Sequence, residues 1–381
     1  MRRSDAEDEA PPPPSDVAAR LGGAAAAAAA EAGSAEGVAD GAGGAAARGG
    51  RASREEVGRV GSLDQLYGEP WADKVERIRR ASPHGRRSGW ALVPLLSKAN
   101  DDVRQEVFVM QLLRLLERAF PAPLWLRPYA ILSTGPRSGL IEFSPNTQSL
   151  HALKKLPRFG SLEEHFLDHY GDASSPRGAA ARHNFVSSLA AYSIATYLLG
   201  VKDRHNGNIL LDRDGHLIHI DFGFVLGRAP GGRAALEAAV PFKLTREMVG
   251  VLGGPTAPLF TETLVDLCTS ALRAARAHAD SLLALIEMTG YRSDMLCFAS
   301  GVETPLRQAR RAAIGTAGAS APPAHASAAL VRAAQVRDRL MLEVPEEQLR
   351  ERVEQLVSLS YNNVYTRAYD EFQRWSNGIA C

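Results

Sequence analysis

Apolar residues recur at Val103, Val107, Met110, Leu113 and Leu116, the three-and-four spacing that keeps one face of an α-helix on a core. Asn100-Asp101-Asp102 lies just ahead and offers capping side chains, so a helix is predicted to start here with Glu106 in its second turn. Upstream, Trp90 to Lys98 has the length and hydrophobicity of a strand ending at a lysine. Pro94 removes one ladder donor from it and points to an edge or a bulge. Leu140 to Phe143 reads as another strand, and beyond it the pattern turns mostly helical. Phe185, Leu189, Tyr192 and Thr196 mark one face of a helix that Gly200 can end in a left-handed cap. Asn208 to Leu211 and Leu217 to Ile220 then flank Asp212-Arg213-Asp214-Gly215, a turn sequence that predicts a hairpin. Ala257 to Met288 and Pro345 to Ile379 read as helices. In the last of these Tyr361, Val364, Tyr365, Tyr369, Phe372, Trp375 and Ile379 form an aromatic stripe, whose plain reading is packing on the helical body.

Composition changes this picture at two places. Residues 1 to about 60 hold Pro11 to Pro14, the run Ala24 to Ala30 and many glycines, with no aromatic residue. Such a stretch buries too little apolar surface to offset chain entropy, and a disordered tail is expected over 1–68. Acidic residues Asp5, Glu7, Asp8 and Glu9 argue against a transit peptide. A second low-complexity stretch, 312–334, contains Pro322-Pro323 and many alanines, and it reads as a surface loop insertion. The 381-residue chain is 45% hydrophobic, enough for a sizeable core.

A formal net charge of +1 gives no bulk reason to expect nucleic acid as a partner. Arg77, Arg79, Arg80, Arg86 and Arg87 cluster locally; they form either a solvated basic face or a contact with an anionic membrane, at roughly 1 kcal/mol per residue. Cys268, Cys297 and Cys381 show neither disulfide nor zinc spacing, which fits a reducing, cytoplasmic setting. No run of apolar residues is long enough to cross a bilayer.

The chemistry concentrates in Lys202-Asp203-Arg204-His205-Asn206-Gly207-Asn208 and, after the hairpin, Asp221-Phe222-Gly223. Phosphoryl transfer needs an aligned nucleophile and compensation of charge on the transferred oxygens. Asp221 is a candidate ligand for Mg²⁺ or Mn²⁺, hard cations that prefer carboxylate oxygen, and Asn208 adds a neutral oxygen from the other end of the hairpin. His205 is the candidate general base, or a hydrogen-bond donor in the transition state, and Asp203 is placed to support it. Lys98 is expected on the ATP phosphates, held by Glu106 with Asp102 as competitor.

Protein kinases place an Asp five residues before an Asn and follow it with Asp-Phe-Gly. Here the triplet reads Asp-Arg-His, and together with Lys98 to Glu106, Pro123 to Tyr129, Pro241-Phe242-Lys243-Leu244-Thr245 and Asn377-Gly378-Ile379 it resembles the phosphatidylinositol 3-/4-kinase family, nearest its beta-type 4-kinases. The resemblance runs from about Pro70 to Cys381. It implies an α+β, two-lobed protein-kinase-like fold, with a small antiparallel-sheet lobe over 69–146 and a helical lobe over 147–381. It further implies a phosphate-covering turn at Ser82-Pro83-His84-Gly85 and an adenine hinge at Glu142 to Ser144. By the same resemblance Asp221 to Thr245 faces the lipid headgroup, through Arg228, Arg233 and Lys243. These cations are scattered rather than clustered, so an unphosphorylated inositol ring is the simpler acceptor. Transfer to its 4-hydroxyl, peripheral residence on endomembranes, the Golgi among them, and lipid contact by the terminal helix are what the resemblance adds. A lipid 3-kinase, a protein kinase of the same superfamily and a non-catalytic scaffold on this fold are the alternatives. The last is disfavoured by the presence of every polar residue of the motif.

Overall fold

The computed structural model describes residues 63–157, 159–230, 237, 240–299 and 324–381. It has the expected two-lobed α+β architecture. Helix α1 (Trp71–Ala81) precedes β1 (Leu95–Ala99), α2 (Arg104–Ala119), β2 (Ile131–Gly135) and β3 (Ser138–Glu142), and the three strands form an antiparallel sheet in the order β1-β3-β2. A second small sheet begins with β4 (Thr147–Ser149). The long helix α3 (Pro176–Leu199) follows, then β5 (Ile209–Asp212) and β6 (Leu217–His219), which complete the order β4-β5-β6. Helices α4 (Val265–Ala277), α5 (Ala279–Gly290), α6 (Ala324–Leu340), α7 (Glu346–Ser360) and α8 (Val364–Asn377) build the rest of the large lobe.

Pro94 explains why the first strand is shorter than its hydrophobic run. Pairing begins only at Leu95, and the Pro94 carbonyl accepts from the Phe143 N–H at 2.9 Å, while proline has no donor of its own to extend the ladder. Lys98 pairs with Gly139 across β1 and β3. A Cβ on Gly139 would lie 2.5 Å from Val103 Cγ2, so glycine here lets the start of α2 sit directly on the sheet. That close approach brings Glu106 under Lys98.

Helix α3 is the central rod of the large lobe. One face was expected to be apolar, but burial runs nearly all round, from Ala181 through Phe185, Tyr192 and Ile194 to Leu199, as for a helix enclosed by others. Ser175 caps its start by accepting from the Gly178 N–H, and Gly200 ends it at φ 59° as its sequence foretold.

Two expected boundaries move. Most of the expected tail, 1–62, lies outside the described residues. Its last part folds: Leu63–Tyr67 is helical, and Tyr67 is buried with its hydroxyl 3.2 Å from His165 Nε2. Residues 312–323 of the expected insertion also lie outside the described residues, yet 324–334 belongs to α6. Ala329, Ala333, Val336 and Leu340 recur at helical spacing and are buried, so alanine there is a small packing surface rather than loop filler.

Helix α8 divides its aromatic stripe between the protein and the outside. Its buried residues are Thr366, Tyr369 and Gln373, whereas Phe372 is 50% exposed and Trp375 86% exposed. Thr366, Tyr369 and Gln373 face the protein, whereas Tyr365, Phe372 and Trp375 face outward together with the charged Arg367, Glu371 and Arg374. No helix among the described residues is long and apolar enough to cross a membrane.

Candidate active site

Lys98, at the end of β1, places Nζ 2.8 Å from Asp101 Oδ2 and 3.4 Å from Glu106 Oε2. The expected competitor, Asp102, is instead engaged by the Arg104 guanidinium, so Asp101 takes the place foreseen for it. Burial alone would lower the Lys98 pKa, but Asp101 and Glu106 outweigh it and hold the ammonium above its usual range. Desolvation pushes Glu106 upward, opposed by Lys98 and reinforced by Asp221. Glu106 Oε1 also accepts from the Phe222 N–H at 3.4 Å, which ties the Lys98 pair to the Asp-Phe-Gly segment.

The hairpin performs its expected service. Register places Ile209 opposite His219, and the Ile220 N–H donates to the Asn208 carbonyl at 3.1 Å, so the two ends of the ribbon that carry Asn208 and Asp221 come side by side. Asp221 is exposed at φ 59°, with Oδ1 accepting from Gly223 N–H at 3.2 Å. An exposed carboxylate beside a buried carboxamide is an incomplete, all-oxygen donor set. That fits a divalent cation whose remaining ligands are nucleotide phosphates and water.

In the Asp203–Asn208 loop Asp203 adopts φ 66°, and its N–H donates to Glu237 Oε2 at 2.7 Å. Its carbonyl accepts from Asn208 Nδ2 at 2.9 Å. Its Oδ1 lies 3.8 Å from His205 Nε2 and accepts from the Tyr369 hydroxyl. His205 Nδ1 accepts from the Gly207 N–H at 3.0 Å, which leaves the proton of a neutral imidazole on Nε2. Burial holds the His205 pKa below its usual range, so the ring is neutral near pH 7.

Three residues that sequence reasoning passed over organise these groups. Arg204 is buried and donates to the carbonyls of Lys202 (3.0 Å), Ile220 (2.8 Å) and Asp221, with its guanidinium 5.3 Å over the Phe222 ring. Gln105 Nε2 donates to the Phe222 and Gly223 carbonyls, both at 2.9 Å, while its Oε1 accepts from the Cys297 N–H. Tyr369 reaches in from α8. Gln105 and Arg204 were visible as polar residues inside apolar or functional runs, and Tyr369 was hidden in its aromatic stripe.

The remaining expected site residues are placed as follows. Lys243 is buried, its ammonium 2.7 Å from Asp370 Oδ1 and 3.3 Å from Asn206 Oδ1. It therefore anchors α8 and does not face a lipid headgroup. Arg228 lies over the Phe224 ring at 5.7 Å, and Arg233 lies outside the described residues. Ser82, Pro83, His84 and Gly85 form a turn folded back on α1, with the Gly85 carbonyl accepting from Arg79 Nε at 3.0 Å. No described hydrogen bond joins that turn to Lys98 or Asp221. Glu142 and Ser144 lie at the junction of the two sheets, the Glu142 carboxylate accepting from the Ala130 N–H. A cavity of about 410 Å³ sits beside this junction, lined by Trp71, Lys74, Leu95 and Phe143. Leu95 and Lys98 fall on opposite faces of β1, and Lys98 does not line this cavity.

Residues 92–300 match the family model for phosphatidylinositol 3- and 4-kinase. Over 317 residues the chain is 40% identical to the phosphatidylinositol 4-kinase of Dictyostelium discoideum, covering 82% of this chain and 24% of that protein. Over 314 residues it is 38% identical to the phosphatidylinositol 4-kinase beta of Xenopus laevis and to that of Rattus norvegicus. These matches cover 82% of this chain and 35% and 34% of those proteins, so the chain spans about a quarter to a third of the curated relatives it matches.

Proposed function

We propose that this chain, which belongs to the phosphatidylinositol 3- and 4-kinase family, transfers the terminal phosphoryl group of ATP to the 4-hydroxyl of phosphatidylinositol, yielding phosphatidylinositol 4-phosphate and ADP. The observation that carries this reading is the convergence of Lys98, Asp203, His205, Asn208 and Asp221 through one ribbon and one ion-paired strand end. The choice of position follows the names of the relatives.

Lys98 would neutralise phosphate charge, with Asp101 and Glu106 fixing its stem and head. Asn208 and Asp221 would hold Mg²⁺ or Mn²⁺, which supplies positive charge to the phosphate oxygens when bound. His205 would face the inositol hydroxyl. In the tautomer that the Gly207 bond implies, Nε2–H would donate; taking the hydroxyl proton at that atom requires the proton to sit on Nδ1 and the Gly207 bond to be given up. Asp203 would orient that ring.

No described helix is long and apolar enough to cross a membrane, and the outward Phe372 and Trp375 on α8 supply an apolar surface for peripheral contact. With Lys243 committed to Asp370, the headgroup segment offers little clustered positive charge among the described residues, which suits an unphosphorylated inositol ring.

Purified protein incubated with ATP, Mg²⁺ and phosphatidylinositol vesicles is expected to form the 4-phosphate, identified by positional analysis of the product. Predominant 3-phosphate would replace the position assigned here, and phosphorylation of protein but not lipid would overturn the substrate class.

A further inference from the structure

We propose that Tyr369, on the C-terminal helix α8, is a positioning residue for the catalytic loop: its hydroxyl sets the side chain of Asp203, and through it the imidazole of His205. The inference rests on the phosphoryl-transfer reading above and extends it to a residue more than 160 positions away in sequence.

Direction of the bond is fixed by the network. Gln373 Nε2 donates to the Tyr369 hydroxyl oxygen at 2.6 Å, so that oxygen acts as acceptor there and its own proton is directed to Asp203 Oδ1. Burial and the adjacent Asp203 carboxylate both keep the phenol protonated, as a donor must be. The main chain of Asp203 is already fixed: its N–H is bound to Glu237, its carbonyl to Asn208, and its backbone is left-handed. What remains free is the carboxylate orientation, through rotation about the two side-chain bonds. Tyr369 fixes it, with Asp203 Oδ1 left 3.8 Å from His205 Nε2.

A purely architectural tyrosine would do the same packing without the hydroxyl. Helix α8 has independent anchors: Asp370 to Lys243 at 2.7 Å, and the chain just beyond it, where the Ala380 carbonyl accepts from Asn206 and the Ala380 N–H donates to His151. Loss of one oxygen atom therefore leaves the helix docked. The buried face of α8 is polar at Tyr369 and Gln373, while apolar Phe372 and Trp375 face outward, an allocation that packing alone does not account for.

The test is a kinetic double-mutant cycle on the intact chain with ATP, Mg²⁺ and phosphatidylinositol vesicles. Tyr369→Phe is expected to lower kcat about 10-fold while the KM for ATP stays within about 2-fold, the split that marks loss of transition-state alignment rather than of binding. In an Asp203→Ala background, which removes the acceptor, the same change is expected to have no further effect, because the two residues act as one unit. Wild-type kcat in Tyr369→Phe, or fully multiplicative losses in the double variant, would overturn the inference. Circular dichroism reports folding. Should Tyr369→Phe not fold, Gln373→Met weakens the same donor and is expected to lower kcat about 3-fold within the same cycle, and an unchanged kcat there would count against the proposal. The contact itself is read by the ¹³Cζ resonance of Tyr369, assigned by its loss in Tyr369→Phe and expected to move in Asp203→Asn. A fixed resonance in an active enzyme overturns this inference alone, whereas a wild type inactive on lipid overturns the proposed function and the positioning role with it.

Discussion

Asn208 donates Nδ2 to the main-chain carbonyl of Asp203, five residues earlier, at 2.9 Å. This bond commits the amide nitrogen and leaves Oδ1, which accepts no hydrogen bond among the described residues, as the atom able to face a cation. The five-residue spacing of the motif thus has a mechanical reason: the loop closes on itself and selects which end of the carboxamide is presented. Asn208→Ala is expected to raise the Mg²⁺ concentration needed for half-maximal rate by about 10-fold or more. Asp221→Ala should abolish turnover at any Mg²⁺ concentration and leave the circular dichroism spectrum unchanged, since its carboxylate is exposed and, among the described residues, accepts only from Gly223. Rates across a Mg²⁺ titration check both.

His205 separates two chemical roles by substitution. Alanine is expected to lower kcat by roughly 10²- to 10⁴-fold. Glutamine keeps an N–H donor near the Nε2 position but cannot accept a proton. The Gly207 N–H occupies Nδ1, so the donor role is the one the ring already holds. His205→Gln is therefore expected to retain far more turnover than His205→Ala. Equal loss in the two variants would assign His205 as the base.

Much of this is legible in the sequence. The helix carrying Glu106 and the Asp-Gly hairpin have local causes, namely three-and-four apolar spacing and a tight turn, and local causes are written in the sequence. The pairing of Lys98 with Glu106 followed from placing one on a strand end and the other in the next helix. What sequence concealed was set by tertiary contact. Alanines 329 and 333 read as loop in isolation and become a packing face only against α5 and its neighbours. Lys243 looks like a headgroup cation until Asp370 is brought to it by a helix over a hundred residues later. The stripe on α8 has period but no direction, and periodicity cannot say which face turns inward.

Lys243 and Asp370 form a pair in which the lysine side chain is 1% exposed and the aspartate 14%. Removing one member of a buried pair leaves the other charge uncompensated, at a cost of about 3 kcal/mol. Lys243→Met is accordingly expected to lower the melting temperature by several degrees and to reduce activity through loss of folded protein. A variant with unchanged stability and a selectively raised KM for phosphatidylinositol would restore Lys243 to the headgroup site.

Stability in alkali should carry the signature of Lys202. Burial lowers its pKa to about 8, assisted by Arg339 and partly opposed by Glu237, while Nζ donates to the Val240 carbonyl at 2.6 Å. A lysine with a depressed native pKa is deprotonated in the folded chain while still protonated in the unfolded one, over the window from about 8 to its ordinary value near 10.5. The unfolded state then binds more protons, so this group's contribution to stability rises with pH across that window and is a penalty below it. Denaturant unfolding of the wild type, relative to Lys202→Met, is expected to gain at most about 3 kcal/mol between its two ends. A difference that is flat with pH would show that the ammonium remains charged in the folded chain.

Gln105 occupies a position where no other side chain can make the same bonds. Two carbonyls, those of Phe222 and Gly223, point at its amide nitrogen, and one N–H, that of Cys297, points at its oxygen. Only a carboxamide offers two donors and an acceptor on one short plane. Arg332 donates through Nε to the Cys297 carbonyl, so α6 is linked through Cys297 and Gln105 to the segment that carries Asp221. Gln105→Met keeps the volume and strands all three buried groups, which predicts a loss of about 2–4 kcal/mol in unfolding free energy. Gln105→Glu retains the acceptor but sets a carboxylate against two carbonyl oxygens, and it is expected to be at least as destabilising although its shape is nearly identical. Chemical denaturation ranks the variants. If glutamate is tolerated like glutamine, the bonds to Phe222 and Gly223 do not hold the Asp-Phe-Gly backbone in place.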